Sequence, residues 1–288
     1  MDLTVTALAL GAAACLGLSL VLTQFGLRHL SPLRGASISV PSSMLAYVAL
    51  APFLLDVSAF SLRGAILFTV CGCLFPATVT LLTFEGNRHV GPSITGAFGN
   101  LTPLFATLMA IVLLGEIPHS GEVAGMAVIL AGVLLIIGAP RAMPRGAFGW
   151  AVGLLLLGAF IRGLVQPMVK AGLMDWPNPF AASLIAYVMS AAVILSAGAA
   201  REGMAVLRPP AAGLRWFVPV GLLNGLSVLL IYAALARGSV AVVASLVACY
   251  PLPTLLFSRL MLGASGFGWR VALGAATTVL GVAVLLRG

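Results

Sequence analysis

An outline that begins at Phe84 returns from Tyr232, and this internal duplication constrains the fold more than any other feature of the chain. In the first copy a short polar turn, Glu85–His89, precedes an apolar helix broken by Pro103. The loop Leu114-Gly115-Glu116 follows, then a second apolar helix with Gly125 and Gly132 seven residues apart. Phe84, Pro103 and Gly115 recur 148 residues later as Tyr232, Pro251 and Gly263, and Gly125 and Gly132 recur 149 residues later as Gly274 and Gly281. Five landmarks in nearly ungapped register mark a duplicated unit.

The medium follows from composition. Hydrophobic residues make up 61% of the chain, charged residues 8%, and the mean hydropathy is +1.16. Soluble domains carry roughly a quarter charged residues. A hydrocarbon core of about 30 Å takes roughly 20 apolar residues per helix. The runs here are continuous rather than alternating, which excludes a transmembrane β-barrel. The expected fold is an all-α polytopic membrane protein with spans at about 3–26, 36–55, 64–84, 90–114 and 121–139. After a proline-bearing linker at 140–146 come 147–171, 180–199, 214–236, 239–262 and 267–286. Two five-helix repeats, 1–139 and 147–288, then run in opposite orientations because five is odd, a pattern typical of transporters. The first span lacks a basic leader and a small-residue cleavage site, and is expected to stay in the mature protein.

Function classes can be excluded on the same basis. The net charge of +8 is spread singly over short loops, as membrane proteins present it to headgroups, so no nucleic-acid partner is expected. Cys71-Gly-Cys73 reads as close helix packing rather than a metal pair, and neither cofactor nor metal is expected. His29, His89 and His119 fall in separate loops without a nucleophile–base pair at depth, so no catalytic residue and no enzyme is expected.

Ten spans, the Pro-containing fourth helix, the Leu-Leu-Gly-Glu turn and the glycine-spaced fifth helix together resemble the EamA-type drug/metabolite transporter (DMT) superfamily over essentially the whole chain. The first span joins the repeat too, since Gly26-Leu27 and Ser31-Pro32 answer to Gly172-Leu173 and Asn178-Pro179, with Gln24 opposite Lys170. The second copy has Ala264 where the first has Glu116, which favours a local capping or loop role for that carboxylate over a transport role. The resemblance implies that spans 1–4 and 6–9 surround a central cavity while spans 5 and 10 form a scaffold. Helical spacing of Gly125, Gly132, Gly274 and Gly281 agrees with close packing of the latter pair.

Polar groups at membrane depth are costly, so they should face the pathway. The substrate-binding candidates are Arg162, Gln166, Lys170, Gln24, Asn100, Asn224, Tyr232 and Tyr250, with Tyr187 also at depth. Arg162, Gln166 and Lys170 fall four residues apart and share a helical face. Pro103 and Pro251, as symmetry mates, are the hinge candidates. The seven carboxylates, Asp2, Asp56, Glu85, Glu116, Glu122, Asp175 and Glu202, sit at loops or span ends. That departs from the small multidrug-resistance relatives, which carry a glutamate in their first helix. Three partners are then open to Arg162: Glu85 if span three ends beside span six, water in an open cavity, and, the favoured one, an anionic group on the cargo such as an amino-acid carboxylate.

The expectation is a monomeric transporter of small metabolites, amino acids included, exported across the cell (inner) membrane by alternating access. The alternative is a lipid or lipid-linked sugar flippase of the same superfamily, told apart by a lateral opening between helices. The substrate itself rests on family analogy. Both termini should lie on one side; basic loop residues put that side outside, whereas the resemblance puts it in the cytoplasm.

Overall fold

Backbone amides in lipid have no water to bond, so each apolar run satisfies its own by coiling into a helix. A computed structural model describes residues 2–137, 148–203, 211–262 and 269–287; the expected linker and Gly263 lie outside them. The first half comprises α1 (Leu3–Gly26), α2 (Pro32–Leu54), α3 (Leu62–Gly72), a π-helical turn (Cys73–Thr78), α4 (Val79–Gly99), α5 (Thr102–Leu114) and α6 (Ser120–Ile137). The second comprises α7 (Phe148–Asp175), α8 (Pro179–Glu202), α9 (Ala211–Leu235), α10 (Val240–Val247), α11 (Pro251–Leu262) and α12 (Trp269–Arg287). Among the described residues there is no strand. Within the described residues, seven apolar helical stretches are long enough to span a bilayer, and Thr102–Leu114, Ser120–Leu135 and Trp269–Leu285 are shorter apolar helices.

Local chemistry sets the starts. Ser31 and Asn178, repeat mates, accept hydrogen bonds from the backbone N–H of Arg34 and Ala181 at 3.4 and 2.9 Å, each followed by a first-turn proline. Gly115 ends α5 at φ +68°, a left-handed cap that a side chain would strain. One boundary differs from the sequence reading. The expected polar turn at Glu85–His89 is helical, inside α4, where His89 and Glu85 meet across one helical turn at 2.9 Å. In the second half the corresponding stretch does turn, and Ser239 caps α10. Pro103 and Pro251 also differ: neither kinks a helix from inside. Each stands in the first turn of α5 or α11, just after a break at 100–101 or 248–250. There the missing proline N–H costs no intrahelical bond.

The halves pack as a reciprocal pair. A Cβ on Gly132 would fall 2.5 Å from the Thr278 amide nitrogen, and one on Gly281 would fall 2.6 Å from that of Ile129. A 149-residue offset exchanges these two contacts, so α6 and α12 lie antiparallel about a twofold axis. Gly125 meets the Leu285 backbone at 2.7 Å, and Gly274 offers its carbonyl to Gly132 at 2.8 Å. The repeat exchange, with local offsets of 146–149 residues, also relates Ser43 Oγ–Gly221 O to Ser190 Oγ–Gly72 O, both 2.6 Å. It also relates Gly17 against the Thr254 amide to Gly163 against the Ala106 amide, 2.8 Å each. Small residues let the backbones approach, which is what drives helix association where lipid and leucine are equally apolar. As a result α1 packs on α9 and α11 of the second half, and α7 on α3, α4 and α5 of the first. Phe53, Val112, Leu260 and Leu280 are more than half exposed and form the lipid-facing surface.

Candidate functional site

Where the crossed halves meet, a cavity opens between α1, the π-helical turn, α4, α7, α8, α9 and the two helix breaks. None of its described lining comes from α6 or α12, which are occupied with each other, nor from α2. The centres of water-sized molecules have about 120 Å³ to occupy in it. One water needs roughly 10–15 Å³ of such space, so the cavity has room for a small organic molecule.

Helix α7 supplies the charge. Arg162 and Gln166, one turn apart, both line the cavity, and Arg162 is the one charged residue of the described lining. Its guanidinium carbon stands 5.8 Å from the centre of the Phe75 ring, within cation–π range. Phe75 reaches that position because its backbone leaves the helical region, at φ −143° and ψ 132°, inside the π-helical turn. Such turns free backbone groups at membrane depth, and these must be re-satisfied by protein. Ser190 does so, donating to the Gly72 carbonyl at 2.6 Å and accepting from the Ala77 amide at 3.2 Å. Across the cavity, Ser19 of α1 donates to Asn224 Oδ1 of α9 at 2.7 Å.

Several lining groups have no protein partner. Arg162 Nε, Gln166 Oε1, Thr102 Oγ1, Tyr187 Oη and Tyr232 Oη are buried and make no hydrogen bond. Buried polar groups are nearly always paired in folded proteins. Five orphans around one cavity mark a place built to receive polar atoms from elsewhere.

Lys170 goes to a different cluster. It lies two turns beyond Arg162 and forms an ion pair with Glu116 in the α5–α6 loop. Its Nζ also donates to the Gly238 carbonyl at 2.8 Å. Glu116 accepts from the Val240 amide at 3.0 Å, and Glu122 accepts from Ser239 Oγ at 3.2 Å. Two carboxylates of the first half thus hold the N-terminus of α10, where the helix dipole favours negative charge. Glu116 does act as a cap, across the two halves rather than locally. Val5 packs on Gly238 and Leu285 on Gly125, so both chain ends lie at this end of the bundle.

Of the eight candidates from sequence, Arg162, Gln166, Asn224, Tyr232 and Tyr250 are brought to the cavity wall. Asn100 sits in the first helix break, 1% exposed and unpartnered, between the lining residues Gly99 and Thr102. Gln24 is half-buried on α1, one residue past the lining Thr23, and Lys170 is in the end cluster. Sequence reasoning passed over Ser19, Thr23, Thr80, Thr83 and Phe84. Ser19/Thr23 and Thr80/Thr83 do recur at helical spacing, but hydroxyls in membrane helices commonly bond their own backbone, as Thr23 does to Ser19 O at 2.8 Å. Among the described residues, no group of His, Cys, Asp or Glu could hold a metal ion.

Known proteins give the same architecture. A family model described as the EamA-like transporter family matches residues 3–138 and again 149–287. No curated protein matches the chain. Among solved structures, one described as "Crystal structure of protein" aligns with 98% of this chain and 97% of its own, at a TM-score of 0.78 and 19% identity. At that identity the likeness speaks for the fold.

Proposed function

The chain belongs to the EamA-like transporter family, and from that premise we propose that this membrane transporter of the DMT superfamily exports small organic metabolites, amino acids among the candidates. It works as a monomer in the cell (inner) membrane by alternating access through the central cavity. One observation carries the reading: Arg162 stands at membrane depth in that cavity without a carboxylate partner. A lone cation at the bilayer centre costs at least ~2.5–3.5 kcal/mol on insertion scales. An anionic group on the cargo offsets that cost, and the planar guanidinium can hold a carboxylate with two parallel hydrogen bonds. Gln166, Tyr187 and Tyr232 complete the grip, and α5 and α11 pivot at the breaks before Pro103 and Pro251. The Lys170–Glu116 cluster ties together the end of the bundle that bears both termini.

Transport into proteoliposomes from a mixed pool of metabolites tests this, with wild type and Arg162→Gln compared at equal folded protein. Wild type should accumulate anionic or zwitterionic solutes, and the variant should lose about tenfold or more of that rate. An unchanged rate in a folded variant removes Arg162 from the site. Scrambling of lipid-linked sugars without movement of soluble metabolites would favour the flippase instead.

A further inference from the structure

Resting on that reading of the cavity, we infer that the preferred cargo is an organic monocarboxylate with an apolar body, rather than a zwitterion. The first argument is a charge count that closes over the whole sequence. The chain has seven carboxylates, and each is engaged away from the cavity. Asp2 and Asp56 accept backbone amides in exposed segments. Glu85 bonds His89, Glu116 pairs with Lys170, Glu122 holds Ser239, Asp175 pairs with Arg63 and Glu202 with Arg34. An ammonium entering beside Arg162 would meet a like charge in low dielectric with no acid to offset it.

The second argument concerns the rest of the wall. The unpartnered Tyr232 hydroxyl lines the same cavity and can donate to an acceptor on the cargo. Most of the remaining lining is hydrocarbon or aromatic, Leu20, Phe84, Val228 and Ile231 among it, and suits an apolar body. A cavity of that size has room for a small molecule such as a single ring with a short acidic arm.

Three compounds sharing one ring and one two-carbon arm separate the charges: 3-phenylpropionate, phenylalanine and phenethylamine. Binding to the protein in lipid nanodiscs is read by titration calorimetry, and exchange by counterflow in proteoliposomes. The anion should bind about tenfold or more tighter than the zwitterion, and the amine should not compete. Arg162→Gln should abolish that preference, Arg162→Lys should keep part of it, and Tyr232→Phe should weaken the anion severalfold without lowering the melting temperature. Phenylalanine binding and exchanging as well as 3-phenylpropionate would overturn the inference and leave transport standing. So would a protein that exchanges other metabolites but none of the three. Failure to exchange anything from a metabolite pool would overturn both readings.

Discussion

Ser43 and Ser190 are buried at corresponding places in the two halves, and each lends its hydroxyl to a glycine carbonyl of the opposite half at 2.6 Å. Their replacement by alanine removes a buried hydrogen bond, worth about 0.5–1.5 kcal/mol net. Ser190 also accepts from the Ala77 amide beside the π-helical turn, so Ser190→Ala should cost more than Ser43→Ala. Thermal unfolding in detergent orders the two; equal melting temperatures would mean that the turn does not need Ser190. The residue scale is also where sequence reading was weakest. Arg162 was legible as a candidate because charge at membrane depth is rare. Ser190 was not, since a serine in an apolar run gives no sign of the carbonyl that it meets 118 residues away.

Glycine spacing on α6 and α12 was readable as a packing face, and here the element carries the meaning. A side chain on Gly132 would collide with the Thr278 backbone at 2.5 Å, and backbone cannot swing aside. Gly132→Leu should therefore lower stability in detergent by about 1–3 kcal/mol or prevent folding. Gly153→Ala on α7, with nothing near its added Cβ, serves as the control and should leave the melting temperature unchanged or slightly raised, since alanine favours the helix. Comparable melting of Gly132→Leu and the control would show that α6 and α12 separate freely. The helix breaks belong to this scale as well. Proline at 103 and 251 was visible from sequence, but its effect was read as an interior kink. In the structure each proline begins a helix instead, because a chain can place the residue without an N–H where none is needed.

For the whole molecule the asymmetry between its two ends matters most. Lys170, Glu116 and Glu122 tie α7 and the first-half loop to the start of α10 at one end. At the repeat mates of the ion pair the chain has Gln24 and Ala264, which carry no charge. Glu116→Gln should weaken the closed end by roughly 1 kcal/mol, about fivefold in the equilibrium between closed and open states. Labelling of a cysteine placed at the buried Ala241 by a bulky maleimide would rise accordingly, and unchanged labelling would show that the cluster does not hold this end. The sequence alone carries the medium, the helical class and the duplication, because hydropathy and proline and glycine positions act locally and need no partner to be read. It determined the charge inventory too, including the scarcity of acids from which the cargo is argued. Which polar groups face one another is settled only when the chain folds. Lys170 and Arg162 share a helical stripe, yet one finds Glu116 and the other an unpaired cavity wall, because partners 54 residues or a whole repeat away are set by how the two halves cross.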